Sequence, residues 1–259
     1  MTNIQTYTNQ NRLAWEEIAE IRHKRWEPAE FFAQGGSWLD EHTVTAVGNV
    51  QELTLCHLQC ATGEDTLSWA NQGAVVTGVD ISPTQIELAQ QKAADAGISA
   101  RFIASDIYDL PQALFNEQFD IVFTGGGALV WLPDIDRWAQ TVARLLKPSG
   151  RLILDEEHPF AECLWVEGGE LKIESDYFGR HQPELYTGWS HFAGGEDASE
   201  QKYEFTWPLG DIVTSLAQAG LRIERLEERP SDTEWRFKDR LSEVARLPGQ
   251  YLLIARRDP

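Results

Sequence analysis

Between Leu53 and Leu154 five short apolar runs alternate with amphipathic helical stretches, and this rhythm constrains the fold more tightly than any other feature of the chain. The runs are Leu53 to Leu58, Ala74 to Asp80, Ala100 to Ala104, Phe119 to Thr124 and Arg151 to Leu154. They read as buried strands, because short, β-rich apolar runs bounded by turn signals fill a pleated surface. Thr62 to Gln72 is predicted as a helix closed by Gly73. Ser82 opens a second helix with Pro83 in its first turn and Gln85 at the capping-box position; Ile86, Ala89, Ala93 and Ala96 keep helical spacing up to Gly97. Asp134 caps a third, striped by Ile135, Trp138, Val142 and Leu145 and stopped by Lys147, Pro148 and Gly150. Strands and helices alternating at this pace need right-handed crossovers and form a parallel sheet. The expected fold is α/β, a doubly wound sheet.

After the fifth strand the rhythm breaks. Residues 157–207 carry Trp165, Tyr177, Phe178, Tyr186, Trp189, Tyr203, Phe205 and Trp207, with turn signals at Gly168-Gly169 and Gly194-Gly195. Linkers are poor in aromatics, so this stretch reads as an insertion. A helix resumes over Leu209 to Ala219, and Leu221 to Leu226 and Tyr251 to Ala255 supply two last strands. Ahead of everything, Asn11 to Arg25 is predicted as a helix with Leu13, Trp15, Ile18 and Ile21 apolar. The 259 residues are therefore read as one domain. It has an N-terminal helical cap over 1–50, a core over 51–156 and 208–259, and an insertion over 157–207.

Charge narrows the partners. Asp and Glu number 41 against 22 Lys and Arg, a formal charge of −19, and such a field repels polyphosphates, so nucleic acid is not the expected substrate. The basic segment Arg22, His23, Lys24, Arg25 reads as a solvated helix face. No apolar run approaches the ~20 residues that cross a bilayer. The N-terminus is polar, without the basic and apolar regions of a signal peptide, so no membrane partner and a cytoplasmic location are expected. Cys56, Cys60 and Cys163 have no C-x-x-C spacing; they read as packed, reduced thiols, and no metal site is expected.

In a doubly wound sheet, ligands bind at the carboxyl ends of the strands. The first such end, CHLQCATGEDT over residues 56–66, turns tightly into a helix whose free N–H groups can meet a ligand. The second ends on Asp80, an acceptor for ribose hydroxyls or, alternatively, the cap of the helix at Ser82. The third carries Asp106 in SDIYDLP, an acceptor for an adenine amino group or a loop cap. The fourth is TGGGALVWLPD, residues 124–134, where three successive glycines let the backbone lie against a ligand.

Together HLQCATGEDTLSWA, GVDIS, SDIYDLP, FDIVFTGGGALVWLPD and LKPSGRLIL resemble the class I S-adenosylmethionine (SAM)-dependent methyltransferases, across residues 51–157 and again 208–256. With WLPDIDRWA and EEHP, the chain is similar to a bacterial small-molecule branch in which a His-Leu-Gln-Cys turn replaces the common Asp-x-Gly-x-Gly-x-Gly. The resemblance implies a Rossmann-like seven-stranded sheet ordered 3-2-1-4-5-7-6 with strand seven antiparallel. It implies SAM as cofactor and methyl transfer to a small molecule; a monomer or homodimer is expected. By the same resemblance Gln59, Cys60, Ala61, Thr62 and Gly63 line the methionine end, Asp80 and Ile81 the ribose edge, Asp106 and Ile107 the adenine, and Thr124 and Gly125 the sulfonium side. The chain departs from the family at His57, where an acid is usual, and at Gln59 and Ala61, which replace glycines. The methionine end must therefore be held differently.

Methyl transfer from a sulfonium is a direct displacement that needs in-line positioning, and a base where the nucleophile carries a proton. Glu157 and His158, at the end of strand five beside Glu156, are the candidate catalytic groups; His158-Pro159 reads equally as a turn held by a bonded imidazole. Tyr7, Trp15, His181, Tyr186 and Trp189 are candidate substrate contacts, as is His191. Their plainer roles are a small core within the insertion and, for Trp15, anchorage of the leading helix. Two other classes share parts of the pattern. An NAD(P)-dependent oxidoreductase would share the sheet and Asp80, but Gln59 and Ala61 break its G-x-G-x-x-G. A non-methylating SAM-binding protein would share every motif.

Overall fold

The computed structural model describes residues 3–180, 182–189 and 194–259. A long helix α1 (Asn3–Arg25) and two short ones, α2 (Ala29–Ala33) and α3 (Glu41–Val47), precede the sheet. The core then alternates β1 (Thr54–Leu58), α4 (Glu64–Asn71), β2 (Val75–Asp80), α5 (Pro83–Ala96), β3 (Arg101–Ala104), α6 (Gln112–Glu117), β4 (Phe119–Gly125), α7 (Ile135–Leu145) and β5 (Leu146–Glu157). The inserted segment holds α8 (Pro159–Glu162) and two hairpins, β6 (Leu164–Glu167) with β7 (Glu170–Ile173), and β8 (Glu184–Thr187) with β9 (Gln201–Glu204). The chain ends with α9 (Leu209–Gln218), β10 (Leu221–Pro230), α10 (Glu234–Phe237), α11 (Leu241–Val244) and β11 (Pro248–Arg257).

Seven strands form one sheet in the order β3-β2-β1-β4-β5-β11-β10. β1 to β5 are parallel neighbours, and β11 runs antiparallel to both β5 and β10. Counted among core strands, this is the expected 3-2-1-4-5-7-6. Alternation along each strand divides the core into two layers, because successive side chains leave opposite faces. Cys56, Val122, Leu152 and Leu253 face one way, toward Trp138 and Val142 of α7 and Leu216 of α9. Leu55, Ile121, Ile153 and Leu252 face the other, toward Val47 of α3 and Trp69 of α4. Among the described residues no helix is long and apolar enough to cross a membrane.

Three boundaries differ from the sequence pattern, each for a tertiary reason. α1 begins at Asn3 rather than Asn11. Its first turns are not amphipathic, but Asn11 exchanges hydrogen bonds with the backbone of Tyr203 on β9 (2.7 and 2.9 Å) and Tyr7 packs on Tyr203 and Phe205. The expected stop at Lys147, Pro148 and Gly150 lies inside β5. Ser149 takes a φ of 66° and the register against β4 slips after Phe119, so the stop signals yield an irregularity in the strand. Residues 231–247, for which no element is predicted, form α10 and α11 because Phe237 and Val244 bury against Ala161, Leu164 and Val166 of the insertion.

Candidate active site

The carboxyl ends of β1 to β5 open on one cavity of about 1020 Å³, which continues beneath the inserted segment. Its core side is lined by Gln59, Cys60, Ala61, Asp80, Ile81, Asp106, Ile107 and Gly125, and its far side by Trp15, Glu157, Tyr186 and Trp189. These twelve expected site residues are brought together.

At the end of β1 the chain turns with Gln59 at φ 60°, Ala61 at 47° and Gly63 at 86°. Left-handed conformations are costly for residues with a Cβ, and the Asp80 carboxylate holds this turn in place. Asp80 accepts from the backbone N–H of Ala61 at 2.8 Å with one oxygen and from Ser82 at 2.9 Å with the other. It thus ties the β1 turn to the start of α5, while the Ser82 hydroxyl caps that helix. Burial raises the Asp80 carboxyl, and the two N–H donors oppose the rise. Gln59 bridges in another direction: its Nε2 donates to the Ala128 carbonyl at 2.8 Å, and its buried Oε1 has no partner among the described residues.

The glycine turn after β4 is held by Glu156. The buried carboxylate accepts from the N–H groups of Gly127 (2.8 Å), Ala128 (2.6 Å) and Leu129 (3.2 Å), and from its own neighbour Glu157 (3.1 Å). Burial pushes this carboxyl up to about 7, against the pull of those donors. Gly125 admits no side chain here, since a Cβ would lie 2.6 Å from the Asp155 carbonyl. Asp106 accepts from the N–H of Tyr108 at 2.9 Å and still lines the cavity.

A charged group supports the methionine side of the β1 turn. Glu64, almost wholly buried in α4, receives Arg22 of α1 at 3.1 Å and Lys92 of α5 in a close ion pair. Burial alone would raise Glu64, but Arg22 and Lys92 hold it down to about 2. Arg22 also donates to Thr62 and lines the cavity. Next to it Asp65 lines the cavity, pushed up to about 7 by burial and by Glu64. His57 is held neutral by burial, its imidazole lowered to about 3, with Nδ1 2.8 Å from the Thr66 hydroxyl.

Other expected site residues stand elsewhere. Thr62 and Gly63 support the turn from behind without lining the cavity, and the Thr124 side chain is buried inside the sheet. Tyr7 belongs to the α1–β9 packing. His158 is corrected from a cavity base to a helix cap: its Nδ1 accepts from Phe160 at 3.0 Å, opening α8, and its Nε2 lies 3.0 Å from Glu228. Glu157 does reach the cavity, paired with Arg236 at 2.8 Å. Trp15 packs at 4.4 Å on Trp189 and 5.1 Å on Trp131, so it both anchors α1 and walls the cavity. His181 and His191 lie outside the described residues.

A family model described as a methyltransferase domain matches residues 56–150, the stretch that supplies these strand ends. A putative methyltransferase, YqeM of Bacillus subtilis, is 26% identical over 199 residues, covering 68% of this chain and 76% of its own. A ubiquinone biosynthesis O-methyltransferase of Pseudomonas syringae pv. tomato is 26% identical over 202 residues, covering 72% and 84%. Residues 56–150 carry a methyltransferase domain. A solved SAM-dependent methyltransferase from Mesorhizobium loti shares the fold, with a TM-score of 0.61 and 23% identity over 83% of this chain and 96% of that one. SAM is the cofactor that the sequence resemblance implies, and the cavity suits it on two features already described: an orphaned Gln59 oxygen and carboxylates at the ends of β2 and β3.

Several residues of this methyltransferase were not singled out by the sequence pattern. Arg22 was read with its neighbours as a solvated face, yet it shares the helix face of Trp15 and Ile18, a spacing that places it inward. Trp131, Lys202, Trp165, Glu162, Trp235 and Arg236 also line the cavity. The last two come from the unpredicted α10, which no local signal announces.

Proposed function

We propose that this methyltransferase transfers the SAM methyl group to a small-molecule acceptor seated between the ends of β4 and β5 and the inserted segment 157–207. The observation that carries this reading is that one continuous cavity joins the motif residues at the strand ends to Trp165, Tyr186 and Trp189 of the insertion. Bound SAM supplies an electrophilic methyl on a sulfonium. The chain's part is to hold, align and exclude water, which is most of what a direct displacement needs. Asp80 and Asp106 receive the ribose and adenine donors, and Gln59 turns its free oxygen to the methionine end. Arg22 and Asp65 face the charged amino-acid end as cation and carboxylate, taking over from the acid that His57 replaces.

Calorimetry with SAM, S-adenosylhomocysteine and NADH tests the cofactor side; binding of NADH without SAM would sink the reading. Trimming the β8–β9 hairpin tests the acceptor side. Turnover should be lost while S-adenosylhomocysteine affinity stays within a few-fold. A changed sedimentation coefficient with turnover intact would make the insertion an oligomer contact instead. Salt-sensitive retention on heparin would count against a small-molecule substrate, because a chain of charge −19 has no other reason to bind a polyanion.

A further inference from the structure

The acceptor side of the cavity has an unusual charge balance. Among the described residues its walls carry the carboxylates of Glu157, Glu162, Glu174, Glu196, Glu204 and Asp232, and the cations Lys202, Arg236 and Arg229. All three cations are already matched: Arg229 pairs with Asp155 at 2.7 Å and with Asp40. Lys202 lies 3.3 Å from Glu204 with its ammonium 3.9 Å from the centre of the Trp189 ring. Arg236 pairs with Glu157 at 2.8 Å and stands 5.0 Å from the Trp235 ring. An anionic acceptor would therefore meet no free positive charge.

Glu162 is the group left over. It follows β5 by one turn of α8, whose start is fixed by the His158 cap and Pro159, and it lines the cavity from that turn. No hydrogen bond or ion pair engages its carboxylate among the described residues. Its charged neighbours are Glu157, Arg236, Glu156 and Glu204, three carboxylates to one cation already taken. Burial, and next the charge of Glu157, drive its carboxyl well above the usual range, as expected for an anion lacking a counter-ion. Glu162 is partly buried, facing the cavity, and a carboxylate partly withdrawn from water favours a counter-ion. Trp165 and Tyr186, which line the same cavity, offer π faces that favour a cation over an anion.

We propose that the acceptor is a cationic small molecule, an aromatic or aliphatic amine or guanidine, whose positive group is received by the Glu162 carboxylate. This rests on the reading of the chamber under the insertion as the acceptor site. The net charge of −19 acts in the same direction at long range, enriching cations around the mouth.

The test uses the full-length protein saturated with S-adenosylhomocysteine, titrated by calorimetry and tryptophan fluorescence with matched amine, alcohol and acid probes. Suitable sets are tryptamine, tryptophol and indoleacetate, and benzylamine, benzyl alcohol and benzoate. The amines should bind at least about ten-fold tighter than their partners, the scale of one charge-assisted contact. In Glu162→Gln, which keeps shape and removes the charge, that preference should shrink to about two-fold or less while S-adenosylhomocysteine binds as before. Tighter binding of acids or alcohols, a preference that survives in E162Q, or no amine bound at all would overturn the proposal. Failure of S-adenosylhomocysteine to bind in the first titration would instead overturn the cofactor reading beneath it.

Discussion

Replacing Glu156 with Gln isolates the clamp on the glycine turn. In the wild type one carboxylate oxygen accepts from Gly127 and Glu157, and the other from Ala128 and Leu129. Glutamine keeps one acceptor oxygen, so in either orientation its NH₂ faces two N–H donors. An orphaned buried donor costs ~1–3 kcal/mol, so two give ~2 kcal/mol or more even if cavity water recovers part. For a domain of this size each kcal/mol moves Tm by ~2–4 °C, so E156Q should melt at least ~4 °C lower. Affinity should follow, because the turn forms the wall beside the expected sulfonium position. The same clamp makes binding pH-dependent. Its carboxyl sits at about 7; below that the neutral acid turns an O–H toward backbone donors, the turn loosens, and S-adenosylhomocysteine should bind more weakly on the acid side. Calorimetry at about pH 6, 7 and 8 should show affinity rising with pH in the wild type and a weaker, shallower profile in E156Q, where Asp65, also at about 7, still titrates. If E156Q melted with the wild type and bound equally well at every pH, the turn would be held by something other than Glu156.

Three further outcomes follow from the geometry. Asp80→Ala should weaken S-adenosylhomocysteine by roughly 1.5–3 kcal/mol, the value of a charge-assisted acceptor; an unchanged dissociation constant, with lowered Tm, would leave Asp80 only its ties to Ala61 and Ser82. His158→Ala should cost ~0.5–2 kcal/mol of stability, as losses of helix caps do, with turnover per folded molecule retained; abolished turnover at unchanged Tm would restore it as a catalytic group. Glu64 is held at about 2 from an ordinary 4.5, so its stabilisation is present above about pH 4.5 and lost as pH falls toward 2, about 3 kcal/mol in all. Acid titration of Glu64→Gln should lack that component, and near neutrality the variant should be strongly destabilised, because Lys92 is left buried and unpaired.

The sheet was legible because its signals are local. β1 to β5 each present an apolar run, and the order in which they assemble follows from right-handed crossovers joined to the family resemblance. The placing of Asp80, Asp106 and Gly125 at the cavity was legible for the same reason, since they close or follow strands in the chain. What the sequence concealed is non-local. Nothing near His158 announces that Glu228, far along the chain on β10, sits 3.0 Å from its ring. Glu156 and Glu157 are adjacent in sequence, yet strand alternation sends one under the glycine turn and the other to Arg236. Trp235 and Arg236 reach the cavity only because α10 packs on the insertion, a contact between two irregular segments without periodicity.

The departure at His57 has a consequence for how the two ends of the cavity communicate. With a neutral imidazole at the end of β1, the charges at the proposed methionine side come from α4 and α1 instead, through Glu64, Asp65 and Arg22. α1 is also the helix that reaches the acceptor side, where Asn11 is bonded to β9 and Trp15 packs on Trp189 and Trp131. Arg22 and Trp15 lie two turns apart on one face of one rigid element. A ligand that orders Arg22 therefore orders the helix carrying Trp15, and a ligand against Trp15 steadies the helix carrying Arg22. Coupling of this kind is reciprocal. A glycine-rich turn with its own acid would keep such contacts on β1, whereas the ones proposed here run through α1, which also walls the proposed acceptor chamber through Trp15.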